Sequence, residues 1–151
     1  MATRSTIAIE LEDGTVKQIY CHSDGYLSYV GKVLLNHYDS TKTNLLMSQG
    51  DCSMLGKEIG EKIYFDDRLT YSNGVASQCR FYKRDRGEMN VGAKQFESYE
   101  SYHENHQYEE YEYILRNTGE WFVLLPETDD YVPLADEIAA EMLDNEMAAD
   151  E

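Results

Sequence analysis

The sequence predicts a single α+β domain: an antiparallel sheet of about five strands, helices on one face, and an acidic helix at the C-terminus. Three observations carry this. Short runs of alternating apolar residues are punctuated by turn residues, three stretches show helical spacing, and no repeat or proline- or glycine-rich linker divides the 151 residues. A chain of this length buries about two-thirds of the surface its unfolded form exposes. The expected organisation is an α+β domain over 1–132, with an acidic helix and tail over 133–151 in the same domain or appended to it.

STIAIEL at 5–11 alternates around Ile7 and Ile9, and TVKQIYC at 15–21 alternates again, with Asp13-Gly14 between them. A D-G pair flanked by such runs predicts a β-hairpin. HSDGY at 22–26 ends the second strand, after which Ser28 is placed to cap a helix over 29–38 with Val30, Val33, Leu34 and His37 or Tyr38 on one face. A second short helix is expected over 42–48, and the three glycines between 49 and 62 predict an irregular connection. Strands are expected at 62–65, 68–72 and 78–84, with a turn at Ser72-Asn73-Gly74, and Gly87 ending the last of them.

From Ala93 to Asn105 the spacing of Phe96, Tyr99 and Tyr102 or His103 is helical. From Tyr108 the period becomes two, with Tyr111, Tyr113 and Leu115 on one strand face and Glu110, Glu112 and Ile114 on the other. Asn117-Thr118-Gly119 predicts a three-residue hairpin loop with Gly119 left-handed, returning the chain into WFVLL, a candidate central strand. Pro133 suits the first turn of a helix from 134, whose apolar stripe is Leu134, Ile138 and Met142.

Charge is the most informative total. The net charge is −16, yet residues 1–94 hold twelve acids and twelve bases, so residues 95–151, with seventeen acids and the single base Arg116, carry all of it. Such asymmetry points to association with a partner. It argues against direct binding of nucleic acid, whose phosphates the C-terminal third would repel. Cys21, Cys52 and Cys79 are an odd set without C-x-x-C spacing, expected to be buried, reduced thiols of a cytosolic protein. No apolar run reaches a membrane span and no secretion signal is visible, so no membrane partner is expected.

The passage ATRSTIAIELEDGTVKQIYCHSDGY, Gly31 and the LLNHY of 34–38, with RDRGE at 84–88 and EYEYILRNTGEWFV at 110–123, resembles a widespread family of short proteins from tailed bacteriophages. The resemblance spans residues 2–125 and implies a protein acting in the cytoplasm of an infected bacterium. Ser23 and Leu27 stand where that pattern has tryptophan and proline, which puts a ring-stacking role for this segment in doubt, and the acidic helix after 133 is an addition. The motifs label the family and say little about chemistry.

Four groupings are candidates for chemistry. Cys21, His22 and Asp24 contain the residue types of a nucleophile–base–carboxylate set, against which stands the plainer reading of a buried cysteine and a turn. His103 and His106 with Glu104 have the spacing of two ligands on one helical face; a solvated face is the alternative, and no metal or cofactor is expected. Arg80, Lys83, Arg84 and Arg86 form a basic patch, expected to pair with the acidic third within the subunit or across a dimer.

The fourth grouping is the acidic, tyrosine-rich surface: Glu97, Glu100, Glu104, Glu109, Glu110, Glu112, Glu120, Asp129, Asp130, Asp136, Glu137, Glu141 and Asp144, with Tyr99, Tyr102 and Tyr111. Six glutamates, five tyrosines and two histidines fall within 97–113 with no lysine or arginine. Glu137 and Glu141 are about 6 Å apart along a helix, and Glu110 and Glu112 about 6.8 Å along a strand. Both intervals are roughly twice the 3.4 Å rise per phosphate of one DNA strand. The expectation is a phage-encoded, non-enzymatic DNA mimic that blocks a host DNA-binding protein, with DNA gyrase the first choice and restriction, nuclease or CRISPR machinery behind it. The alternatives are a binding module or small homodimer, and a small enzyme using Cys21, His22 and Asp24.

Overall fold

Ser5–Glu10 (β1) and Val16–Cys21 (β2) pair antiparallel, as the alternation predicts. The computed structural model describes residues 3–60, 78–105, 109–126, 128 and 130–149, without the side chains of 86 and 144–149. The hairpin loop holds three residues. The Leu11 N–H donates to the Thr15 carbonyl at 2.8 Å, and of the D-G pair only Gly14 takes a positive φ, of 90°. Asp13 stays on the ordinary side of φ and accepts from the Thr15 N–H and hydroxyl at 3.0 and 2.6 Å. Arg116 to Glu120 repeat the same loop, with Gly119 also at 90°.

After β2 the chain makes a π-helical turn, Leu27–Gly31, and continues as α1 (Lys32–His37). Tyr26, not Ser28, stands at its start and no side chain caps it. Asp39 caps α2 (Ser40–Gln49) by accepting from the Lys42 N–H at 2.8 Å, and Leu46 and Met47 face the core. The connection expected to be irregular contains β3 (Cys52–Met54).

Of the strand expected over 78–84, Arg80–Phe81 forms β4 and Gln78 an isolated bridge with Glu58, whereas Tyr82–Arg86 (α3) is helical. The Asp85 carboxylate turns the chain there, accepting the Phe81 N–H at 2.7 Å, and Gly87 closes the helix in the left-handed region. The strands expected at 62–65 and 68–72, and the turn at 72–74, lie outside the described residues. The helix expected over 93–105 divides into β5 (Lys94–Phe96) and α4 (Tyr99–Asn105). Ser98 Oγ makes the division by accepting the Ser101 N–H at 3.0 Å, as an N-cap does. The remaining elements are β6 (Tyr111–Leu115), β7 (Trp121–Leu124), β8 (Val132–Pro133) and α5 (Leu134–Ala149).

The sheet has eight described strands rather than five, in the order β4-β3-β2-β1-β6-β7-β8, with β5 pairing the first half of β2. Most pairings are antiparallel; β1 with β6 and β2 with β3 are parallel. The centre is β1, and β7 is one strand in from the edge. Ile7 and Ile9 on one face and Thr6 and Ala8 on the other are all buried, because helices cover both faces instead of one.

The larger core gathers Ile7, Ile19, Leu34, Leu46, Phe81, Tyr113, Trp121, Leu134 and Ile138 beneath α1, α2 and α5. Leu134 and Ile138 thus seat the first half of α5, whereas Met142, expected in the same stripe, is exposed. On the other face Ala8, Val16, Ile114 and Tyr102 form a second core under α4, edged by Phe96, Tyr99, Phe122 and Tyr131. The small side chain of Ala8 shares this cluster with the tyrosine ring. Among the described residues no helix is long and apolar enough to cross a membrane.

Candidate functional site

The tyrosines of the acidic third act first as anchors. Tyr102 is fully buried, stands edge-on to Phe96 with centroids 5.5 Å apart, and its hydroxyl shares a 2.9 Å hydrogen bond with that of Tyr131. Burial, then the neighbouring Tyr102, raises the Tyr131 pKa, so the Tyr131 hydroxyl stays neutral. Tyr99 sits half-buried beside them, and its pKa is raised by burial despite the cation above it. Tyr111 is half-buried and stacks on Tyr113 at 10° between rings. Tyr102 is therefore not part of a contact surface, because α4 is held to the sheet by burying it.

With Tyr102 inward, Glu97, Glu100 and Glu104 are exposed on α4 and the turn before it. On the opposite face of the sheet, Asp136 is exposed and Glu137 and Glu141 are half-exposed on α5. Glu110, Glu120 and Asp130 are exposed, and Glu109 is half-exposed. Glu112 is not available to a partner. The period of β6 turns it onto the face that α4 covers, between Thr6 and Leu124 in register, and it is 1% exposed. The strand pair Glu110 and Glu112 is thus no row of surface charges. Asp129 and the Asp144 side chain lie outside the described residues.

The one base of this third is internally neutralised. Arg116 Nε donates to Glu10 Oε1 at 2.7 Å across 106 positions, and its guanidinium lies 3.7 Å from the Tyr99 ring centroid. Among the described residues, no lysine or arginine pairs with Glu97, Glu100, Glu104, Glu120, Asp136, Glu137 or Glu141. Arg116→Gln leaves a nearly buried carboxylate at Glu10 without its charge partner and removes the ring contact. It is expected to cost about 2 kcal/mol by chemical denaturation, while Glu10→Gln, which removes the charge itself, costs about half as much.

Of the basic patch, Arg84 is engaged with its own neighbourhood rather than with the acidic third. Arg84 pairs with its neighbour Asp85 at 3.0 Å, donates to the carbonyls of Ile59, Gly60 and Cys79, and stacks over Phe81. Its planar fork ties α3 to two connections, a structural use of the fork that sequence spacing does not reveal. Lys83 is exposed, the Arg86 side chain is not described, and Arg80 lines a crevice beside His22.

Cys21, His22 and Asp24 do not converge as a catalytic set. Cys21 points into the larger core, whereas His22 and Asp24 line the crevice on the outside. Cys21, Cys52 and Cys79 are all free and buried. A contact with Cys21, then burial, raises the Cys52 pKa, and burial raises that of Cys79. The three thiols are expected to resist a thiol reagent at neutral pH in the native protein and to label only on unfolding. Rapid labelling of native Cys21, read by mass spectrometry, would contradict this.

His103 lies between the Tyr99 and Tyr131 rings, 3.7 Å from Asp130, and His106 lies outside the described residues. The described residues contain no group of three or more histidine, cysteine or acidic side chains placed to hold a metal. Residues missed by pattern reading are Glu10 and Tyr131, whose roles depend on contacts remote in sequence, and Ser53 and Tyr82 of the crevice. Comparisons of the chain with family models, with curated proteins and with solved structures give no match.

Proposed function

We propose that the chain is a non-enzymatic, phage-encoded inhibitor that mimics DNA and occupies the nucleic-acid groove of a bacterial DNA-handling protein, with DNA gyrase the first candidate. The observation that carries this reading is the pair of carboxylate rows on anchored helices. Glu100 and Glu104 on α4, and Glu137 and Glu141 on α5, each stand one helical turn apart, about 6 Å along the axis. Tyr102 fixes one row and Leu134 with Ile138 the other.

A solubilising surface has no need of such anchoring, and it gains from interleaved bases, which relieve repulsion by roughly 0.2–0.5 kcal/mol per pair. Here the only base, Arg116, is spent on Glu10 and Tyr99. Fixed negative charges on opposite faces of one sheet resemble, in layout, the two phosphate strands on opposite sides of a duplex. Lysines and arginines that bind phosphates bind carboxylates by the same charge-assisted hydrogen bonds.

Affinity capture from bacterial lysate on the immobilised full chain tests this reading. A DNA-binding protein is expected to be retained, and to elute with duplex DNA or on raising salt from about 0.1 to 1 M, which shortens the Debye length from ~10 to ~3 Å. A partner retained through both elutions would sink the mimicry.

A further inference from the structure

Leu134 and Ile138 turn one side of α5 into the core, and the flank beside that side is apolar and exposed. Ala135, Ala139, Met142 and Leu143 lie there at i, i+4, i+7 and i+8, a spacing that lines side chains along one flank of a helix over roughly 12 Å. Met142 is 47% exposed and Leu143 57%. Four neighbouring apolar side chains left in solvent on an acidic helix mark a contact surface. At its N-terminal end the flank runs into a cavity of about 570 Å³, within the roughly 300–1,000 Å³ of ligand pockets, and Ala135 belongs to both. The cavity opens between the end of α1, the Arg116–Glu120 loop and the start of α5, with Leu35, Trp121 and Ala135 as its apolar wall. Trp121 is fixed in that wall, its Nε1 donating to the Tyr38 carbonyl at 3.0 Å.

The charges around this groove have one sign. Asp39 and Glu120 line the cavity and Asp136 borders the apolar flank, and all three are exposed. Asp39 uses one oxygen to cap α2; neither it nor Glu120 pairs with a lysine or arginine among the described residues. No lysine or arginine is among the described residues lining the cavity, and apart from His37 the rest of the lining is neutral. A second copy would bring the same acids to the same rim and set −16 against −16, so it is not the occupant this face fits. The row of Glu137 and Glu141 lies on the opposite flank of α5, beyond Leu134 and Ile138, so groove and row are separate surfaces.

We infer that this flank and the cavity at its foot form a groove that docks a basic amphipathic helix of the target protein. Helix-in-groove recognition reads an apolar stripe on the guest, and Ala139, Met142 and Leu143 receive it here. A lysine or arginine at the guest's leading end lays its aliphatic stem on Leu35, Trp121 and Ala135 and brings its charge to Glu120 and Asp39. That the guest belongs to the inhibitor's target rests on the function proposed above; the chemistry of the groove does not.

Amide NMR titration of the ¹⁵N-labelled full chain with an amphipathic leucine–lysine peptide of about 14 residues, roughly 21 Å of helix, tests this against a peptide of the same composition with its pattern scrambled. The patterned peptide is expected to give saturable shifts centred on residues 35–39, 118–121 and 135–143, and to bind at least about tenfold tighter than the scrambled one. Met142→Ser combined with Leu143→Ser, both at exposed positions, should remove most of that advantage and leave the scrambled peptide's binding unchanged. Glu120→Gln should weaken the patterned peptide about threefold. No saturable shift, shifts centred on α4, equal affinity for the two peptides, or binding indifferent to the double substitution would overturn the assignment. Shifts at the same residues on dilution without peptide would overturn it in favour of a second copy. A groove that behaves as expected in a chain that captures no DNA-binding protein would sink the mimicry alone; a failed groove beside a partner eluted by DNA would leave the acidic rows as the whole interface.

Discussion

Tyr102→Ala is expected to lower stability by about 3–5 kcal/mol, the usual cost of truncating a buried aromatic ring. The ring is fully buried, in a cluster with Ala8, Val16 and Ile114 edged by Phe96 and Tyr131. Its loss also strands the Tyr131 hydroxyl, which is held at 2.9 Å from that of Tyr102. Tyr102→Phe separates the two contributions: it keeps the ring, removes the hydrogen bond, and is expected to cost about 1 kcal/mol. The effect reaches function, because α4 has only seven residues and a helix that short is marginal without tertiary contacts. Amide hydrogen exchange across 99–105 should therefore rise in Tyr102→Ala by more than global destabilisation alone requires. An alanine variant that keeps both its denaturation midpoint and its α4 protection would show that the ring is not the anchor.

The second large effect is electrostatic. Replacing Glu97, Glu100 and Glu104 together by glutamine, or Asp136→Asn with Glu137→Gln and Glu141→Gln, should weaken binding to the captured partner by at least about tenfold for each set at low salt, or ~1.4 kcal/mol. Neutralising both sets should cost on the order of a hundredfold, since rows on opposite faces of the sheet share no neighbours and their effects add. The stability changes run differently in the two helices. On α4 the substitutions relieve repulsion among exposed carboxylates, so stability holds or rises slightly. On α5, Asp136 and Glu137 lie in the first turn, where negative charge interacts favourably with the helix dipole by roughly 0.3–1 kcal/mol each, so a small loss is expected there. Denaturation and binding measured on the same variants distinguish lost charge from lost fold. Equal binding by the doubly neutralised protein would show that the acids serve only solubility.

Local features were legible in the sequence and remote ones were not. Both hairpins, the left-handed Gly119 and the start of α5 follow from turn chemistry and spacing over a few residues. The alternation of β6 was also legible, yet it could not say that α4 covers the second face. Glu112 consequently looked like a surface charge and is buried. In STIAIEL the isoleucines mark one buried face, but Thr6 and Ala8 look like an outward face, and both are buried, Ala8 in the cluster that holds Tyr102. The parallel pairing of β1 with β6 and the Arg116–Glu10 bond each join residues about a hundred positions apart, beyond any local period. The expected strand gives way to α3 where the Asp85 carboxylate accepts the Phe81 N–H, a contact that local strand pattern does not show. The scale of the acidic asymmetry was plain from the sequence; its division between two faces was not.

The most direct test of DNA mimicry is displacement. Fluorescence anisotropy of a labelled duplex bound to the captured protein should fall to the free-duplex value as the full chain is added. The apparent inhibition constant should rise in proportion to the concentration of duplex, and binding of the chain should weaken steeply with salt, as competition between carboxylates and phosphates for the same bases requires. A ternary complex, in which anisotropy rises on addition of the chain while the duplex stays bound, would contradict the account.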